Sequence, residues 1–125
     1  MLPVLGTVLL VDDDAAVRAA LKFALEVEGF QVQLYNGSRA LLADTDLPGR
    51  ACLVVDYDMP ELDGLELVSA LRHRNIMLPV ILISARLNKG VRALAKQGGI
   101  SQVLEKPLSD AALVDGIHGA LSAIA

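Results

Sequence analysis

The chain has 125 residues, 54% apolar and 21% charged, which fits one compact domain with a dense core and excludes a disordered tail. Only Phe23, Phe30, Tyr35 and Tyr57 are aromatic, and the formal net charge is −4, so a base-stacking platform and a phosphate-backbone binder are both disfavoured. The lone Cys52 rules out an internal disulfide framework or CxxC knuckle and fits a reducing cytoplasm.

Thr7 to Val11 (TVLLV) is a short β-branched apolar run, the pattern of a strand buried on both faces. The apolar start lacks a basic flank and runs into Asp12, Asp13 and Asp14, which excludes a secretory signal. Val17, Ala20, Leu21, Ala24 and Leu25 then repeat at helical spacing, with Arg18, Lys22 and Glu26 opposite. Asp13 or Asp14 caps that helix and Gly29 ends it. Gln31 to Tyr35 alternates like a half-exposed edge strand, and Ser38 to Ala43 is a short helix closed by Pro48 and Gly49. Cys52 to Val55 is a buried strand ending at Asp56. A loop with Met59, Pro60 and Gly64 follows, then a helix carrying Leu65, Val68 and Leu71. Pro79 to Ser84 (PVILIS) reads as a fourth strand, Val91, Leu94 and Ala95 as a helix stopping at Gly98-Gly99, and Ile100 to Glu105 as a fifth strand. Leu113, Ile117, Leu121 and Ile124 stripe a last helix, a pattern of core more than of interface.

Strands alternating with helices predict an α/β fold: a doubly wound, five-stranded parallel sheet covered by five helices. No linker or repeat interrupts it, so residues 1–125 read as a single domain with no output or DNA-binding domain. No run reaches the roughly 18 apolar residues needed to cross a bilayer.

Ligands of open parallel sheets bind beyond the carboxyl ends of the strands, and the polar residues collect there. Asp12 and Asp13 follow the first strand, Asp56 and Asp58 the third, Ser84 ends the fourth, and Lys106 with Pro107 follows the fifth. Carboxylates at one rim repel unless a cation neutralises them. As hard oxygen donors they suit Mg²⁺, which takes one or two carboxylates and completes its shell with water and phosphate. A lysine and a hydroxyl opposite would cradle a phosphoryl group, and a carboxylate can act as nucleophile to form an aspartyl phosphate.

Val11-Asp12-Asp13, Leu53-Val54-Val55-Asp56 with Met59-Pro60, Ser84-Ala85 and Lys106-Pro107 together resemble the receiver domain of two-component response regulators, over essentially the whole chain. The resemblance implies the flavodoxin-like strand order 2-1-3-4-5, the order that receivers exemplify. It implies Asp56 as phosphoacceptor and Mg²⁺ held by Asp12, Asp13, Asp56 and the backbone carbonyl of Asp58. It further implies that Ser84 and Lys106 contact the phosphoryl group and that the Lys106–Pro107 peptide is cis. A sensor histidine kinase or phosphotransfer protein is the implied donor. Pairing of two copies through the last helices is an option it leaves open.

Two positions depart from the family pattern. Val103 stands where an aromatic ring is common, so a switch is expected to run through the loop after Ser84 and the following helix, with movement in Ala85 to Val91. Ser84 replaces the commoner Thr. Asp58 and Arg86, each two residues beyond a site residue, suggest an ion pair gating water attack. Asp14 reads as a cap alone, His73 and His118 lack partners at metal spacing, and Cys52 reads as a core thiol. The alternatives are a receiver-like module that binds without being phosphorylated, or a phosphatase of haloacid-dehalogenase type using Asp56-Tyr57-Asp58. The latter motif normally follows a first strand in a longer chain, and no cap insertion is present to enclose a substrate. The domain is expected to act on its own Asp56, not as a multiple-turnover enzyme.

Overall fold

Short apolar runs become strands, and the segments between them become the helices that cover both faces. The computed structural model describes residues 5–124. The elements are β1 (Thr7–Val11), α1 (Ala15–Val27), β2 (Gln31–Tyr35), α2 (Ser38–Ala43), β3 (Cys52–Asp56), α3 (Gly64–His73), β4 (Val80–Ser84), α4 (Lys89–Gln97), β5 (Gln102–Glu105) and α5 (Asp110–Ser122). All neighbouring strands are parallel and lie in the order 2-1-3-4-5, the doubly wound flavodoxin-like arrangement expected.

Successive strand side chains point to opposite faces, and the core divides accordingly. Leu9, Val11, Leu53, Val55, Val80 and Leu82 pack with Leu41 of α2, Leu67 and Leu71 of α3, and Ala95 of α4. Val8, Leu10, Val54, Ile81 and Ile83 pack with Leu21 and Leu25 of α1 and Leu113 and Ile117 of α5. The two central strands β3 and β4 are buried at every position, which is why their sequences are continuous apolar runs and not alternating ones. The register aligns Val11 with Val55, Asp56 with Ile83, and Ser84 with Glu105. Asp12, Asp56, Ser84 and Lys106 therefore arrive at one rim.

Several details differ from the sequence expectations. β5 starts at Gln102, not at Ile100. The Ile100 amide donates to the Ala95 carbonyl (3.0 Å) as α4 ends through Gly99 at φ +74°, so the sheet ladder resumes only with Ser101 N–H on the Val80 carbonyl. α2 ends at Ala43, where the Asp44 amide turns back to Leu41; Pro48 and Gly49 belong to the loop beyond. On α4, Leu94 is 52% exposed and only Ala95 is buried. On α1, Ala20 faces outward with Ala16, Phe23 and Val27, an exposed apolar stripe that the inward periodicity concealed. The α5 stripe is core, with Leu113, Ile117 and Leu121 buried, but the helix ends at Ser122, so Ile124, half-buried, lies just beyond it and not on it. Among the described residues, no helix is long and apolar enough to cross a membrane.

Candidate functional site

At the rim, Asp12 and Asp56 are 2% and 5% exposed, on the ends of buried strands. Each carboxylate is held by its own loop. Asp12 Oδ1 accepts from the Asp14 amide at 2.9 Å and Asp56 Oδ1 from the Asp58 amide at 3.2 Å. Lys106 Nζ lies 3.2 Å from Asp56 Oδ2 and 4.0 Å from Asp12 Oδ2. Asp13 is exposed, yet oxygens of Asp12, Asp13 and Asp56 all lie within 4.8 Å of one another. The Lys106–Pro107 peptide is cis.

Burial raises the pKa of both inner carboxyls above the ordinary 3.8. For Asp12, the Asp14 amide and Lys106 oppose the rise, while Asp13 and Asp14 add to it. For Asp56, the Asp12 charge adds to burial, while Lys106 and the Asp58 amide oppose it. Three carboxylates face one ammonium, an excess of two negative charges in a partly desolvated place. That donor set, all hard oxygens with converging carboxylates, fits a small divalent cation such as Mg²⁺.

Ser84 is 3% exposed at the end of β4. Its hydroxyl is engaged by its own loop, accepting from the Arg86 amide at 3.2 Å and donating to the Arg86 carbonyl at 2.8 Å. Beside it, an open cleft of about 360 Å³ is lined by Tyr57, Asp58, Ser84, Ala85, Arg86, Asn88 and Val91. Asp58 and Arg86 share that cleft without forming the expected pair. Among the described residues the ion pairs are Arg39–Glu61, Lys106–Asp12 and Lys106–Asp56. Both side chains are exposed, and full hydration removes most of the drive to pair.

Asp14 is the N-cap of α1, its Oδ1 accepting from the Ala16 and Val17 amides at 2.9 and 3.1 Å. Asp14→Ala is expected to destabilise the domain by about 1 kcal/mol without altering Mg²⁺ affinity. Parallel thermal melts and Mg²⁺ titrations check this, and a large loss of affinity would move Asp14 into the site. His73 ends α3, exposed, and the His118 ring lies 5.0 Å from that of Phe30. Neither histidine joins the carboxylate group. Cys52 is a core thiol, its pKa pushed up to about 12 by burial.

Three contributors were hidden in the sequence. Arg18 reads as solvent-facing, yet its Nη1 donates to the Asp12 carbonyl at 2.7 Å. Glu105 Oε2 accepts from the Leu87 amide at 2.9 Å and so ties down the loop after Ser84. Ser38, fully buried, donates to the Leu62 carbonyl at 2.7 Å. Side-chain bonds to distant backbone carry no periodic signature.

Comparison with known proteins agrees with the fold. The family described as "Response regulator receiver domain" matches residues 8–118. The C4-dicarboxylate transport transcriptional regulatory protein DctD of Pseudomonas aeruginosa is 39% identical over 118 residues, 91% of this chain and 25% of DctD. The transcriptional regulatory protein FixJ of Azorhizobium caulinodans is 36% identical over 112 residues, 89% of this chain and 53% of FixJ. The chain thus spans between a quarter and about half of these relatives. The crystal structure of FixJ-N superposes with a TM-score of 0.88 at 31% identity, covering 100% of this chain and 98% of that one. A CheY-like receiver domain protein from Methanospirillum hungatei JF-1 shares the fold, with a TM-score of 0.85, 22% identity and 94% of each chain covered. With the five-stranded order, the carboxylate rim and a family match over most of its length, the chain belongs to the response regulator receiver domains of two-component signalling.

Proposed function

We propose that Asp56 is the phosphoacceptor of this receiver and takes its phosphoryl group from a histidine kinase or phosphotransfer protein in the cytoplasm. The observation that carries the proposal is Lys106 Nζ at 3.2 Å from Asp56 Oδ2, beside carboxylates that converge within 4.8 Å. Asp12, Asp13, Asp56 and the Asp58 carbonyl would hold Mg²⁺. Bound there, the ion supplies positive charge against the carboxylates and the phosphoryl oxygens. An Asp56 oxygen attacks phosphorus, the phosphorus–nitrogen bond of the donor phosphohistidine breaks, and the imidazole leaves. Asp56 gains an acyl phosphate and loses its negative charge to the new bond. Lys106 then faces a phosphoryl oxygen instead of a carboxylate. Ala85 leaves room for the group, and the Ser84 hydroxyl reaches it only by releasing the Arg86 carbonyl. That exchange, with the Glu105–Leu87 bond, makes the loop after Ser84 and the start of α4, Ala85 to Val91, the element biased by phosphorylation. The chemistry is self-modification and not turnover of a separate substrate.

The donor must dock beside this rim. An apolar patch of Val17, Ala20, Leu21, Pro107 and Leu108 adjoins Lys106 and continues into the exposed Phe23 and Val27 of α1. A helical donor presenting its histidine at Asp56 would cover it. Ala20→Glu is expected to slow transfer from a phosphohistidine donor about tenfold or more, while uptake from acetyl phosphate is unchanged. Equal slowing with both donors would place the defect in the site and not in docking.

The test of function is intact-mass spectrometry after incubation with Mg²⁺ and acetyl phosphate, beside Asp56→Asn and a metal-free control. One added phosphoryl group that needs both metal and Asp56 is the expected result. Absence of an adduct, with a kinase donor as well as acetyl phosphate, would favour the phosphorylation-independent binding module. Turnover of a phosphate ester would favour the phosphatase reading. Asp58, exposed and bonded to Asp56 only through its amide, gives that reading no buried general acid.

A further inference from the structure

The loop between β3 and α3 carries Asp58, whose carbonyl the proposed function uses as a metal ligand. The ends of the loop are fixed by backbone bonds: the Tyr57 amide donates to the Ile83 carbonyl of β4 at 2.7 Å and the Gly64 amide to the Tyr57 carbonyl at 2.9 Å. Asp63 and Glu66 form a reciprocal capping box that closes its far side. Its middle, residues 58–62, has no such internal ladder. Among the described residues, the polar contacts reaching that stretch from outside the loop and β3 come from the start of α2. Ser38 Oγ donates to the Leu62 carbonyl at 2.7 Å. Arg39 Nε meets Glu61 Oε2 at 3.0 Å. A Cβ added to Gly37 would lie 3.0 Å from Glu61 Oε1, so the corner approaches closely.

Ser38 is the decisive member. It is 0% exposed, and a buried hydroxyl is held to whatever partner it has because leaving it unpaired is strongly disfavoured. That partner is a backbone carbonyl 24 residues away, so the bond fixes the loop backbone to α2. The Arg39–Glu61 pair is exposed and contributes less. We propose that the start of α2, through Ser38, is a positioning clamp that holds the β3–α3 loop in the shape required to present the Asp58 carbonyl. The proposal deepens the receiver reading and rests on it for the role of Asp58. The existence of the clamp does not depend on that reading.

The experiment uses the whole chain in two states. Amide hydrogen exchange of the metal-free protein is read as the ratio of the observed rate to the unstructured-peptide rate at Asp58, Asp63 and Gly64, whose amides are hydrogen-bonded, and Mg²⁺ affinity is measured by calorimetry. Ser38→Ala is expected to raise that ratio about threefold to tenfold and to weaken Mg²⁺ by a similar factor. Leu25→Ala, a truncation on the opposite face of the sheet, lowers global stability and is expected to leave that ratio unchanged. Should Ser38→Ala fail to fold, Arg39→Glu sets two carboxylates face to face at an exposed position, and the same ratio is expected to rise. An unchanged exchange ratio in the folded variant overturns the clamp, as does an equal change in Leu25→Ala. A wild-type protein that binds no Mg²⁺ overturns the receiver chemistry instead, while the exchange ratio still decides the clamp.

Discussion

Asp56→Asn is expected to abolish phosphoryl uptake and, in the absence of metal, to make the domain more stable at neutral pH. The loss of uptake follows from removing the nucleophile. The gain in stability follows from the charge balance: Asp56 is 5% exposed, and its pKa lies above the ordinary 3.8, chiefly through burial and then through the Asp12 charge. A carboxyl whose pKa is raised on folding contributes stability that is present below its unfolded pKa and lost as pH rises through the folded value. At neutral pH the metal-free wild type therefore carries the destabilising ionised form, and the asparagine variant does not. Lys106 is not stranded by the change. Its side chain is 31% exposed, and Asp12 Oδ2 remains 4.0 Å away. The expected gain is on the order of 1 kcal/mol, a rise in Tm of about 3–6 °C. The difference between the two proteins should shrink as pH falls toward the unfolded value of 3.8. Added Mg²⁺ should stabilise the wild type more than the variant, since the ion binds the folded carboxylates. Melts at several pH values with and without Mg²⁺ check all of this. A metal-free variant that melts below the wild type at pH 7 would show that the Lys106 contact outweighs the cost of burying the charge.

How much of this was legible in the sequence depended on which force shaped each segment. β1, β3 and β4 are almost entirely buried, so their composition announced them. The carboxylates stand where those runs stop, so the rim was visible once the strands were parallel. The Asp14 cap was legible as well, because capping is a local bond. Legibility failed where one element's position depends on another. Ile100 looks like the start of a strand, but its amide is taken by the end of α4. Leu94 lies at helical spacing, but α4 covers so little of the sheet that the leucine remains outside. Phe23 and Val27 break no periodic rule and simply face away from the core, beside a rim that a donor has to reach. Asp58 and Arg86 have the right charges and neighbouring loops, yet hydration keeps them apart. Ser38 and Glu105 bond to backbone 24 and 18 residues distant, a relation that no sequence pattern encodes.

Gly64 illustrates the same limit and leads to the second large expected effect. In the sequence it punctuates the loop before α3. In the structure it is the first residue of α3 and buried, pressed against the strand that ends in Asp56. A Cβ there would lie 2.6 Å from Leu82 Cδ1, 2.8 Å from the Asp56 carbonyl oxygen and 3.1 Å from Tyr57 Cα. The leucine methyl can rotate away, but the two backbone atoms cannot move without shifting the end of β3. Alanine gains up to about 1 kcal/mol over glycine in a helix, which sets a floor that the clash must exceed. Overpacking against backbone costs about 1–3 kcal/mol and at times more, so the clash is expected to win. Gly64→Ala should lower stability by about 2 kcal/mol and should weaken Mg²⁺ binding and phosphorylation, because the displaced atoms flank the acceptor. Gly49→Ala is the matched control: a Cβ there meets nothing within 4 Å, and its effect should stay within about 0.5 kcal/mol. Urea unfolding with Mg²⁺ titration of both variants separates the outcomes. If Gly64→Ala is as stable as wild type and binds Mg²⁺ equally well, the backbone at the end of β3 yields more readily than its packing implies, and the rigid seating of Asp56 inferred from that contact is wrong.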